Sequence, residues 1–161
     1  MNIRKAILND LDIIMNMISV GRKHIETYHI DQWINGYPSK ELIKEDVDNK
    51  RGYVLLDNDE IVGYFVKFDY DECYDKIDGQ WLNDTSYVAI HRTVVKYFNK
   101  GLGSKMFDEI KKKYKHIRVD THKGNISMNK CLLKNGFIYC GVIYLKDNSP
   151  RNAYEYIEKE L

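Results

Sequence analysis

The sequence predicts a mixed α/β fold on three observations. Helical and strand periodicities alternate along the chain in the order βααβββαβαββ. The length, 161 residues, suits one domain over 1–161, enough to bury about two-thirds of its unfolded surface. The composition, 43% hydrophobic and 30% charged with two prolines, is that of an ordinary globular chain.

Each element has a local reason. Asn2 to Ala6 reads as a strand, and Leu8-Asn9-Asp10 leads into a helix whose apolar positions, Leu11, Ile14, Met15, Met17 and Ile18, recur at helical spacing toward His24. Asp31 to Pro38 reads as a loop, after which Ser39 caps a second helix with Leu42, Ile43 and Val47 on one face. Tyr53 to Leu56 and Ile61 to Phe68 are strands joined by the Asp57-Asn58-Asp59-Glu60 hairpin turn. A polar loop, Asp69 to Asp84, precedes a β-rich strand from Ser86 to Val95. From about Gly101 to Tyr114, Leu102, Met106, Ile110 and Tyr114 recur every four residues, a helical stripe. Ile117 to Thr121 is a strand, and Asn125 to Asn135 is a helix closed by Gly136. Phe137 to Leu145 and Ala153 to Ile157 complete the set around a turn at Asp147 to Pro150.

Several function classes are disfavoured at once. No apolar run approaches the ~18 residues of a membrane helix, and Met1 to Asp10 carries charge where a signal peptide is apolar. Cys73, Cys131 and Cys140 are odd in number and lack CxxC spacing, so neither a disulfide framework nor a metal site is expected. A cytoplasmic protein without metal or membrane partners is the expectation. The net charge of +1 hides an asymmetry: Lys96 to Arg118 holds eight Lys or Arg against Asp108 and Glu109, while Asp69 to Asp78 holds five acids against Lys76. The first segment suits an anion and the second a cation. The Lys111-Lys112-Lys113 run lacks interleaved aromatics and lies at a helix end, where cations suit the dipole, so no nucleic-acid partner is expected.

The step from Val94-Val95 through a basic turn to Gly101-Leu102-Gly103-Ser104 is strand, turn, helix. At such a step the first helical N–H groups have no internal partner and the dipole adds about half a positive charge, which suits a phosphate. Glycines at 101 and 103 let the backbone approach an oxygen, and Lys96, Lys100 and Lys105 add attraction. A dinucleotide fingerprint would need a third glycine where Met106 stands, and Gly103-Ser104-Lys105 has the wrong order for a Walker loop.

The stretch His91-Arg92-Thr93-Val94-Val95 followed by Asn99-Lys100-Gly101-Leu102-Gly103-Ser104 resembles the central motif of the GNAT superfamily of N-acetyltransferases. Asp120-Thr121, Asn125 and the Leu132-Leu133-Lys134-Asn135-Gly136-Phe137 run resemble that family's next motif. The resemblance implies a centrally splayed sheet flanked by helices, parted between the strand ending at Val95 and the strand ending at Thr121, with acetyl-CoA as co-substrate in the wedge. It implies that the pantetheine arm pairs near Thr93, Val94 and Val95, that the pyrophosphate meets amides from Asn99 to Ser104, and that Asn125 contacts the arm or orients the nearby helix. Two positions depart from the pattern. Phe98 stands where the motif usually has Arg or Gln, and Leu132 stands where the family often has a general-acid tyrosine.

Acyl transfer to an amine needs a base, since an alkylamine with a pKa of about 10.4 arrives charged near neutrality. The resemblance offers His91, where the arylalkylamine-acetylating branch is similar in carrying a histidine; an imidazole suits the task. Asp120 closes the second splayed strand as a candidate proton relay, and a backbone N–H near Val94 or Val95 is the candidate oxyanion donor. Tyr144, with Tyr139, is an alternative for the missing acid. Trp33, Tyr37, Tyr74 and Trp81 fall in loops expected over the acceptor side, where aromatics with Asp71, Glu72 and Asp75 would cage a cationic amine. The expected activity is acetyl transfer to a primary amine of a small molecule, amino acid or peptide. A protein-lysine acetyltransferase and a non-catalytic acyl-CoA-binding module remain as alternatives, and edge strands near the C-terminus could pair in a homodimer.

Overall fold

The computed structural model of the protein describes residues 1–160. Along the chain run β1 (Asn2–Lys5), α1 (Leu11–Glu26), α2 (Lys40–Asp48), β2 (Gly52–Asp57), β3 (Glu60–Phe68), β4 (Asp78–Gly79), β5 (Val88–Val95), α3 (Leu102–Lys113), β6 (His116–Thr121), α4 (Ile126–Lys134), β7 (Ile138–Tyr144) and β8 (Pro150–Ile157). The sequence order holds, with one addition. The two-residue β4 lies inside the stretch expected as plain loop, where Gly79 and Gly141 let the backbones meet against β7. The last strand also starts at Pro150, three residues earlier than expected, because its ladder with β7 runs back to the Tyr144–Pro150 pair. A proline at a strand's first residue is a tolerated place for the missing donor.

The strands form one open sheet in the order β1-β2-β3-β5-β6-β8-β7-β4. Both faces of its first half are covered, which is why β2 and β3 read as nearly continuous apolar runs. On one face α3 and α4 set Leu102, Met106, Phe107, Ile110 and Leu132 against Leu55, Phe65 and Ile90. On the other, α1 and α2 set Ile14, Ile18, Ile43 and Val47 against Val54, Tyr64 and Val66. Ser39 caps α2 as expected, its hydroxyl accepting from the Leu42 amide at 3.1 Å.

The middle of the sheet is interrupted. β5 and β6 are parallel neighbours, yet only Val88 with Ile117 and Ala89 with Arg118 are in register; beyond them the strands part. From Ile90 onward β5 therefore pairs with β3 on one edge alone. β5 also carries a bulge: Val66 faces His91 and Tyr64 faces Val94, so Arg92 and Thr93 together oppose Phe65. Arg92 takes a left-handed backbone, φ 51°.

The second half of the sheet is fastened by a buried ion cluster. Glu155, fully buried, accepts from Arg118 Nε and pairs with His116 Nε2, each at 2.6 Å. The Arg118 guanidinium is sandwiched between Trp81 and Tyr87, 4.1 and 4.2 Å from their ring centres. No helix among the described residues is long and apolar enough to cross a membrane.

Candidate active site

The parted strands open a cleft of about 1330 Å³ that reaches both faces of the sheet. One wall is β5 from Ile90 to Val95 and the opposite wall is Val119, Asp120 and Thr121 of β6. A strand edge with no neighbour leaves backbone N–H and C=O groups facing the opening, available to an extended ligand.

At one end of the cleft stands the N-terminus of α3. Gly101 is its cap, at φ 70°, with no side-chain capping bond, and the first turn holds no acid. A side chain at Gly101 would meet no atom within 4 Å, so glycine is required by the backbone angle and the space above it is open. Gly103 serves another purpose: a Cβ there would lie 3.1 Å from Cys131 Sγ, so its absence lets α3 press onto α4. Gly103 also lines the cleft, so its small size serves the helix packing and leaves its backbone accessible there. Asn99, Gly101, Leu102, Gly103 and Ser104 line the cleft, whereas Lys96, Lys100 and Lys105 do not. The cations that do line this end are Lys130 and Lys134, one turn apart on α4. Phe98, at the departing motif position, stacks on His24 at 4.5 Å between ring centres.

Thr93, Val94 and Val95 line the middle of the cleft, as does Asn125. The Asn125 side chain is nearly buried and fully engaged. Its Oδ1 accepts from the Met128 amide at 3.2 Å, capping α4, and its Nδ2 donates to Gln32 Oε1 at 3.0 Å. Gln32 also reaches Thr121 Oγ1 at 3.4 Å, and Arg151 Nη2 donates to the Asp31 carbonyl at 2.8 Å. The loop after α1 is thus tied to the opposite side of the seam.

His91 stands on the other face, between two carboxylates. Its Nε2 lies 2.8 Å from Asp71 Oδ2 and its Nδ1 lies 3.7 Å from Asp120 Oδ2. Burial pushes the Asp71 carboxyl up, but His91, by hydrogen bond and charge, and the Cys73 amide together leave it below the ordinary carboxylate range. Tyr74 donates to Asp120 Oδ2 at 2.6 Å, and burial pushes its hydroxyl well above the tyrosine range, so it remains a donor. His91 and Asp120 both line the cleft. The pairing of His91 with Asp71, twenty positions earlier, had no sequence signal.

The aromatic residues divide. Trp33 and Tyr37 line the cleft, with Phe68 and Tyr70 beside them. Tyr74 and Trp81 do not. Tyr74 is buried beneath His91, and Trp81 donates to its carbonyl at 2.9 Å while stacking on Arg118, so both support the wall from behind. Tyr144 is also away from the cleft, donating to Asp78 at 2.8 Å on the exposed side of β7, because strand alternation puts Ile143 inward and Tyr144 outward. Tyr139 packs edge-on against Tyr154, again outside. Leu132 is fully buried in the core. No tyrosine hydroxyl therefore stands where the family pattern suggested one.

No protein-family model and no curated protein matches the sequence. Among solved structures, a GNAT-family acetyltransferase from Streptococcus agalactiae is 32% identical, with 99% of this chain and 96% of that one covered at a TM-score of 0.92. The chain belongs to the GNAT family of acetyltransferases. A second GNAT acetyltransferase, from Bacillus cereus, is 21% identical with a TM-score of 0.65 and 99% and 98% of the two chains covered, a likeness of fold. The aminoglycoside acetyltransferase AAC(6')-Ib, solved in complex with ribostamycin and coenzyme A, shares the fold at 20% identity and a TM-score of 0.69 over 97% and 92% of the chains. The parted sheet, the expected element order and the GNAT assignment thus agree. Within that GNAT frame Asp71 and Gln32 are the residues lining the cleft whose connections the sequence did not reveal.

Proposed function

We propose that this protein transfers the acetyl group of acetyl-CoA to a primary amine of a small molecule, amino acid or peptide. The observation that carries the reading is the seam itself: two parallel strands in register for two residue pairs, then open, with an uncapped helix N-terminus at one end and a histidine between carboxylates at the other. AAC(6')-Ib, of the same fold, has been solved with acetyl-CoA, which supports the choice of donor.

The residues present fit that donor. Amides from Asn99 to Ser104 and the Lys130 and Lys134 ammoniums hold the pyrophosphate, with Gly101 keeping the approach open. The free edge of β5 from Thr93 to Val95 holds the pantetheine amides in the manner of an added strand. Acetyl-CoA supplies an activated thioester.

His91 does the proton work. The acceptor enters as an ammonium drawn by Asp71, Glu72 and the faces of Phe68 and Tyr70. His91 takes one of its protons, directly or through one water, and the carboxylates of Asp71 and Asp120 on either side orient the ring. A backbone N–H of the free β5 edge donates to the carbonyl oxygen as negative charge grows there. The proton removed from the amine ends on the departing thiol by way of water, since Leu132 offers none.

A thiol-release screen of acetyl-CoA with polyamines, aminoglycosides, amino acids and lysine peptides tests this. Turnover with at least one small amine is the expected result. Turnover confined to lysine peptides would turn the assignment to a protein-lysine acetyltransferase, and coenzyme A binding without turnover across the panel would leave a non-catalytic binding module.

A further inference from the structure

Of the non-glycine cleft-lining residues with a left-handed backbone, Trp33 and Asn99 lie in loops and Arg92 alone lies within a strand. Arg92 sits in mid-strand at φ 51°, where a non-glycine residue persists only if its surroundings over-determine it. What over-determines it lies outside the cleft. Arg92 Nε donates to Asp46 Oδ2 at 2.8 Å and Nη2 to Asp46 Oδ1 at 2.7 Å, a two-pronged fork. Asp46 is fully buried in the last turn of α2, where the helix dipole disfavours a negative charge and no basic residue of the helix offsets it. Arg51 Nε at 2.8 Å and the Tyr64 hydroxyl at 3.4 Å complete its shell. The third Arg92 nitrogen, Nη1, donates to the Tyr37 hydroxyl at 3.1 Å on the acceptor side.

A carboxylate so placed is hard to explain as packing alone. We infer that Asp46 is a positioning residue for acetyl transfer, acting through Arg92 to hold the β5 bulge and with it the course of the strand's free edge along the cleft. A regular strand at this point would keep His91, Arg92 and Thr93 alternating across the sheet. The bulge instead sets both His91 and Arg92 toward the acceptor side and restarts the alternation at Thr93, whose hydroxyl faces Met128 on α4. The fork fixes the turn of the backbone from the side, leaving the strand edge itself free. The inference rests on the reading of that edge given above.

The test separates the backbone angle from the ion pair. Glycine tolerates positive φ, whereas alanine resists it, and both substitutions at Arg92 remove the fork equally. Arg92→Ala is expected to lower kcat by about 10²-fold, the scale of a 1 Å misplacement, with coenzyme A affinity by calorimetry nearly unchanged. Arg92→Gly is expected to keep kcat within about fivefold of wild type, since its backbone can hold the bulge unaided. Asp46→Asn should behave like Arg92→Ala alone and add nothing to Arg92→Gly. Amide spectra of the free protein should show Thr93 and Val94 displaced in Arg92→Ala and in place in Arg92→Gly. If Arg92→Ala does not fold, Arg92→Lys, which keeps charge without the fork, replaces it. An equal fall of kcat in the alanine and glycine variants, or wild-type kcat in all with only the melting temperature lowered, would overturn the inference. A wild type that binds coenzyme A yet turns over no amine would overturn the acetyl-transfer reading and this inference together; active variants that match wild type overturn the inference alone.

Discussion

In the proposed reaction His91 moves the proton, and its neighbours bear on that role. An imidazole with a carboxylate at 2.8 Å on one nitrogen and another 3.7 Å from the second is held in one orientation. His91→Ala is expected to lower kcat by about 10² to 10⁴-fold with coenzyme A affinity unchanged, measured by steady-state kinetics and calorimetry. Asp71 allows a second check. Its carboxyl is held below the ordinary range, so the folded state binds its proton less readily than the unfolded chain. It therefore adds stability that is complete above about pH 4 and drains away as pH falls through the lowered native value. Asp71→Asn should narrow the gap between melting temperatures at pH 7 and pH 3. His91 itself was legible in the sequence because it precedes a recognisable motif on the same strand. Asp71 was visible only as one acid in an acidic loop, since a pairing across twenty residues depends on how that loop folds back.

At the scale of elements, α3 shows one short motif answering to two kinds of neighbour. The Gly-x-Gly turn is expected to clear the way for phosphate, and both glycines line the cleft. Gly101 fits that account by its φ of 70° and open surroundings, whereas Gly103 makes room for Cys131. Gly101→Val should abolish coenzyme A binding in calorimetry while circular dichroism stays unchanged, because it strains the cap and fills the approach. Gly103→Ala should instead lower stability by about 1–3 kcal/mol, as overpacking does, and Cys131→Ala should restore most of it in chemical denaturation. Local signals such as periodicity, Ser39 and Gly136 sufficed for the helices and for every strand but β4, which exists only through its pairing with β7. The bulge at Arg92 did not show, because nothing in the string His91-Arg92-Thr93 marks a left-handed backbone; it is imposed by Asp46 on another element.

Across the whole molecule, two half-sheets are joined by a short stretch of parallel ladder, and each half carries its own fastening. In the second half that fastening is Glu155, with Arg118 and His116 around it. Glu155→Ala should cost about 3–5 kcal/mol, as the loss of one partner from a buried ion cluster does, read in urea denaturation. The sequence carried no hint of this cluster, because its members come from β6 and β8 and meet only through sheet order.

The link from Gln32 to Thr121 and Asn125, with Arg151 on the Asp31 carbonyl, runs from the first half of the chain to the second across the open seam. It is a buckle. The loop that carries Trp33 and Tyr37 into the cleft is thereby held to both sides of the gap, so in the proposed reaction one short segment braces the donor's seat and the acceptor's approach together.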